Sequence, residues 1–115
     1  MTTIAQAHAA LSTAVGASPE IVAGPACIVF SGGSDLTQLG GTGVAWGFSV
    51  LCYVGARDNA VTTAELAAYV QTKLAVILAL AGWRLVSVDG DTTRTLAGSE
   101  LLTAVIAVTT KVDLT

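Results

Sequence analysis

The chain has 115 residues, of which 53% are apolar and 11% charged, and a formal net charge of −3. That length suits one domain with its own core, and the charged fraction is far below the roughly 25% of an average soluble domain. Its five basic residues, Arg57, Lys73, Arg84, Arg94 and Lys111, are scattered, so there is no basic stripe to attract a phosphate backbone, which argues against a nucleic-acid binder.

A mean hydropathy of +0.73 raises the question of a membrane. Spanning needs about 18 or more consecutive apolar residues, and the longest run, LAVILALAGW at 74–83, is too short. The N-terminal stretch has no basic n-region and carries Thr, Gln, His and Ser where an apolar region would lie. The expectation is therefore a cytoplasmic chain with neither secretion signal nor membrane span. Apolar surface that one copy cannot hide is commonly buried against another, so the composition points toward an oligomer. Cys27 and Cys52 both sit in apolar, strand-like runs and are expected as buried thiols rather than a disulfide. With no CxxC and a single histidine, a zinc site lacks ligands; no metal and no other cofactor is expected.

In chain order, Ile4, His8, Leu11 and Val15 fall on one helical face, with Thr2 or Thr3 as cap and Gly16 as stop. His8 lies on that apolar stripe, where a half-buried structural histidine is the simplest reading. GASPEIVAGP, 16–25, reads as a loop. ACIVF, 26–30, is a short strand, apolar enough to be central. SGGSDLTQLGGTG, 31–43, holds five glycines and is expected as the longest flexible segment. It lacks the lysine and the following helix of a phosphate-binding P-loop.

Alternation is clean from 44 to 54. Val44, Trp46, Phe48, Val50, Cys52 and Val54 form a core face, while Ala45, Gly47, Ser49, Leu51 and Tyr53 point the other way. After GARDN, Thr62 and Glu65 have capping-box spacing, which predicts a helix from about Thr63 to Ala81, ended by Gly82. Its stripe is Leu66, Val70, Leu74, Ile77 and Ala81, widened by Tyr69 and Leu78. WRLVSVDG, 83–90, and TTRTLAG, 92–98, read as two strands with a turn at DGD. A further turn at AGSE leads to a last strand, 101–112, with Leu102, Ala104, Ile106, Val108 and Val112 on one face and Thr103, Thr109 and Lys111 on the other. This order predicts an α+β fold: one domain over residues 1–115, with an antiparallel or mixed sheet covered by one long helix, plus an N-terminal helix.

Reactive chemistry is sparse. Asp89 and Asp91 are the only close acidic pair, and an Asp-Gly doublet is first a turn signal. The serines have no histidine partner except the distant His8, so no catalytic residue is assigned. Beside the predicted helix start, Arg57 and Asp58 could form an intersubunit contact, or the arginine could bind an anion; alternatively Asp58 and Asn59 make a local turn and cap, with Arg57 solvated.

From 43 to 112 the run of a long alternating strand ending in VGARDN, the helix TTAELAAYVQTKLAVILAL, the strand GWRLVSVDG and the closing ELLTAVIAVTTKVDL resembles the tail terminator, or tail completion, proteins of long-tailed bacteriophages. The N-terminal helix and GPACIVF fit as well, so the likeness covers most of the chain. It rests on order and spacing, without an invariant motif. The resemblance implies a non-enzymatic virion protein, assembled in the host cytoplasm and located in the tail or neck. Such a subunit forms a ring, usually a hexamer, on the finished tail tube, stops its polymerisation and offers the head-tail joining surface. Its implied partners are the tail tube protein and the head-tail connector or stopper, with DNA passing through the ring without specific binding. Asp35, Leu36, Gln38 and Leu39 of the Gly-rich segment, with Arg57 and Asp58, are the candidate interface residues. The alternatives are another neck or head-tail connector protein, or a small ligand-binding α+β domain with its pocket under the Gly-rich segment.

Overall fold

The computed structural model describes residues 3–17, 25–33, 38–40, 43–55, 59–96 and 99–113. Its elements run α1 (Ile4–Val15), β1 (Ala26–Gly33), β2 (Gln38–Gly40), β3 (Gly43–Gly55), α2 (Asn59–Leu78), β4 (Trp83–Leu96) and β5 (Ser99–Asp113). The fold is α+β, and every strand pairing is antiparallel. Helix cover is divided between α1, of 12 residues, and α2, of 20, instead of falling to one long helix.

The sheet is built outward from β3 and β5. Alternating apolar residues and β-branched side chains suit a half-buried pleated strand, and here two such strands pair without a register shift from Gly43 opposite Asp113 to Gly55 opposite Leu101. β1 and then β2 line the other side of β3, and β4 lies outside β5, giving the order β1-β3-β5-β4. The strand read as central, 26–30, is thus an edge strand. It also runs on to Gly33, and Gln38 pairs with Val44, so part of the segment read as a flexible loop belongs to the sheet.

DGD is not a turn. β4 continues through it, and the pairing steps from Asp89 opposite Val105 to Thr92 opposite Thr103, three residues against two. One extra residue in a strand is a bulge, which a glycine tolerates without reversing the chain. A second bulge falls between Leu85 and Ser87.

Residues opposite one another share a face, and the face under the helices is the core. Phe48, Val50, Cys52 and Val54 of β3 meet Ala104, Ile106, Val108 and Val112 of β5 there, all buried. The rings of Phe48 and Trp83 lie 5.6 Å apart, an ordinary aromatic packing distance. On the opposite face Tyr53, Leu51 and Leu101 are buried as well. Tyr53, Ala26 and Leu101 form a second, smaller cluster, so the alternation in β3 marks two populated faces rather than a core face and a solvent face.

α1 begins with a capping box. The Thr3 side chain accepts from the Gln6 amide, and the Gln6 side chain accepts from the Thr3 amide, at 3.1 and 3.0 Å, so two amide donors that lack partners at a helix start are satisfied. It ends at Gly16, whose φ of +67° is the left-handed conformation that glycine adopts without strain. Ala7, Leu11 and Val15 are its buried residues. α2 starts at Asn59, earlier than the Thr62–Glu65 spacing implied, and those two residues lie inside it. Leu66 and Ile77 are fully buried, with Tyr69, Val70 and Leu74 packed partly against the core. Leu78, expected on the stripe, is 69% exposed. α2 ends at Leu78, short of the expected Ala81; Gly82, with φ +82°, turns the chain into β4, and the Thr110 hydroxyl donates to its carbonyl at 2.7 Å.

Truncating the wholly buried Ile106 to alanine is expected to cost about 2–5 kcal/mol in urea unfolding, whereas Leu78→Ala should shift stability by no more than about 0.5 kcal/mol. Thr3→Ala should cost about 1 kcal/mol by removing the cap. Equal effects at Ile106 and Leu78 would show that the core is not placed as described.

Candidate assembly surfaces

Of the interface residues read from the sequence, Asp35, Leu36, Arg57 and Asp58 lie outside the described residues. Gln38 and Leu39 fall in β2, on the same side of β3 as β1. The described surface offers three other features.

The first is a groove of about 360 Å³ between α2 and β4. Leu66, Val70 and Leu74 of α2 form one wall, Val88 and Gly90 of β4 the other, and Ala104 contributes from β5. Val88 stands opposite Ile106 in the register, which places it on the helix-covered face, yet it is 41% exposed. α2 packs on β3, β4 and β5 alike but leaves this part of the β4 flank partly uncovered. Val86, at the bulge between Leu85 and Ser87, is also exposed. Gln71 is the one polar side chain of the lining.

A second recess, of about 340 Å³, crosses the face away from the helices. Ser49, Leu51 and Val105 line it in the middle of the sheet, with Phe30 on β1 and Asp89 on β4 at its sides. Phe30 is about half exposed. Neither Phe30 nor Val88 stood out in the sequence, because each sits in a run that reads simply as buried strand. The one local signal was Gly90, an isolated glycine in a strand, which often marks a bulge.

A third feature is the contact of α1 with the sheet. Nε2 of His8 donates to the Val29 carbonyl at 3.0 Å; since a carbonyl only accepts, that nitrogen carries the proton. The imidazole also lies 6.1 Å from the Phe48 ring. His8 thus anchors α1 to the β1 edge, consistent with a structural histidine. Near the other end of α1, the Cys27 thiol donates to the Val15 carbonyl at 3.7 Å. Beside it lie Cys52, Tyr69 and Lys73. The Lys73 ammonium sits 4.9 Å from the centre of the Tyr69 ring, within cation–π range. A Cβ built on Gly16 would stand 3.9 Å from it, so this charge also faces the carbonyl end of α1, where a cation is favoured.

Burial pushes the Cys52 thiol up from 9.0 to about 12, with the neighbouring Cys27 adding to the rise and Lys73 opposing it. Tyr69 is likewise held above its ordinary range, first by burial and then by its hydrogen bond with Cys27. Both groups are neutral at pH 7 and act as packing atoms. Among the described residues no group of three or more His, Cys, Asp or Glu side chains could hold a metal ion, and no helix is long and apolar enough to cross a membrane. No protein-family model matches the chain, and no curated protein matches it.

The raised thiol makes stability depend on alkaline pH. An unfolded chain ionises Cys52 from about pH 9, while the folded one keeps the proton to about pH 12. The unfolded state therefore binds fewer protons in that window, and stability falls as pH rises through it. Urea titrations between pH 7 and 11 should show a plateau to about pH 9 and then a decline, and Cys52→Ala should make that decline shallower. A decline of unchanged slope in the variant would mean that this thiol is not the buried one.

Proposed function

We propose that this chain is a structural subunit of a bacteriophage tail: a tail terminator that closes into a ring, usually of six copies, on the finished tube. There it stops polymerisation and presents the surface that joins the tail to the head connector. A closed ring of identical subunits needs two unlike patches that fit each other across every interface. The observation that carries the reading is the difference between the two edges of the sheet. At one, β1 exposes Phe30; at the other, β4 exposes Val86 and Val88 beside the apolar groove under α2. Both patches are apolar and lie on strands that pair on one side only among the described residues, a state that proteins usually cover or protect.

Ring closure by these patches also accounts for the apolar composition, since surface left open on one copy is buried against the next. The net charge of −3 suits a lumen through which DNA slides, because holding phosphate requires lysine and arginine. A small-ligand site under α2 is the weaker reading. Pockets for small molecules combine apolar walls with a few convergent polar groups, and the lining of this groove has only Gln71. The six residues Asp35, Leu36, Gln38, Leu39, Arg57 and Asp58 are proposed to touch the tube or a neighbouring subunit.

Electron microscopy of a lysate from the source virus with this gene disabled tests the role. Overlong, headless tails beside full, unjoined heads are expected. Tails of normal length left unjoined would transfer the chain to a connector role, and infectious particles would remove it from tail assembly altogether. The edge patches have their own test. Val88→Glu, at a partly exposed strand position, should cost the monomer about 1 kcal/mol in stability and leave it folded, but should prevent complementation of the disabled gene. Full complementation by this variant would rule out the groove as an interface while leaving the terminator role to the first experiment.

A further inference from the structure

The pairing of β1 with β3 sets Cys27 directly opposite Cys52. Both side chains point to the helix-covered face, and both are fully buried and free. Opposed residues of an antiparallel pair have Cα atoms about 4.5 or 5.5 Å apart, depending on the hydrogen-bonding position. Either spacing falls within the range of about 4.4–6.8 Å that disulfides span, so the separation of the two backbones allows the bond.

We propose that Cys27 and Cys52 form a redox site, a dithiol that a low-molecular-weight disulfide such as glutathione disulfide converts to an intrachain cross-strand bond. One protein thiolate attacks the small disulfide, forming a mixed disulfide and releasing one small thiol. The second protein thiolate then attacks the protein sulfur of that mixed disulfide and expels the other. Two S–H bonds and one S–S bond are lost, and one protein S–S bond and two small-molecule thiols form. The protein is oxidised by two electrons and the small disulfide is reduced by two.

Position gives the bond its consequence. β1 is the edge strand that carries Phe30, and α1 docks on it through His8 and through the Cys27 contact with Val15. A bond at this point ties that edge to β3, which is itself fixed along its whole length by β5; it removes the thiol proton that Val15 accepts and leaves His8 to hold α1 to the edge. Reducing cytoplasm keeps such a pair as thiols, and an oxidising exterior favours the bond. Both sulfurs are inaccessible and Cys52 holds its proton tightly, so closure is slow in the folded protein and speeds up when the β1 edge opens. The site lies within one subunit, and the inference stands or falls separately from the assembly role.

The test uses the full chain incubated with glutathione disulfide, both folded and by refolding from urea in the same buffer. Approaching one end point from both sides separates slow access from an absent bond. The expected product is a monomer whose mass is lower by two hydrogens. Chymotryptic digestion, which can cut between the cysteines at Phe30, Trp46 or Phe48, should yield a linked peptide containing both. Its melting temperature should rise by about 10 °C, reversibly with dithiothreitol. Cys52→Ala and Cys27→Ala should each abolish the mass loss and the rise, and urea below the unfolding transition should accelerate closure of the folded protein. Glutathione adducts without closure, disulfide-linked dimers, or two free thiols after refolding in the oxidising buffer would each overturn the proposal.

Discussion

β3 and β5 hold one another in a single uninterrupted register, and almost every other placement depends on that pairing. Thirteen consecutive residues of β3, from Gly43 to Gly55, have a partner on β5. In an antiparallel pair, a slip of one residue turns every side chain to the opposite face. Here a slip would turn Phe48, Val50, Cys52, Ile106 and Val108 out of the core together, so the apolar alternation in both strands fixes the register. The edge strands then have little freedom. β1 and β2 share what remains of β3, and β4 takes the free side of β5.

The two edges accommodate this rigid centre differently. β1 is short, and its irregularity comes after Ser31, beyond the part that α1 covers. β4 is 14 residues long and absorbs its mismatch with β5 through two bulges. Bulges twist and bend a strand, and they coincide with the region where Val86 and Val88 are exposed and where Val88 and Gly90 line the groove beside α2. The groove thus lies where α2, which packs on β3, β4 and β5, meets the bulged stretch of β4. Overall extents of 50 × 26 × 23 Å have the same origin, since strands of 13–15 residues at about 3.3 Å per residue reach roughly 45–50 Å.

Between α1 and α2 the chain gathers its few chemically distinctive groups. Cys27, Cys52, Tyr69 and Lys73 meet where the end of α1 crosses β1 and the middle of α2. None is on a loop, and their closeness depends on both helices lying on one face. A buried Cys52 that keeps its proton and a partly buried, neutral Tyr69 are stable companions for an apolar core, and the Lys73 ammonium is placed where the α1 carbonyls and the Tyr69 ring favour it.

Local chemistry was legible in the sequence where periodicity and local signals agree. A threonine cap at position 2 or 3, the Gly16 stop, the inward face of 44–54 and that of 101–112 were all readable, because each depends on residues a few positions apart. Signals that tertiary contacts can outvote misled. The Asp89–Gly90 doublet favours a turn in a free chain, but the continuing pairing with β5 converts it to a bulge. The Thr62–Glu65 spacing marks a helix start that α2 passes through, and five glycines did not keep Ser31–Gly33 and Gln38–Gly40 out of the sheet. By itself the sequence determined the presence of both helices, the long strands β3 and β5, the α+β class and the face each of those two strands turns inward, since these follow from side-chain spacing along one segment. Only the tertiary structure decided that β1 is an edge, that Tyr53 is buried on the second face, that α2 leaves Val88 uncovered and that Cys27 meets Cys52. Each of these is a relation between segments far apart in the chain, and spacing within one segment carries no information about its neighbour in space.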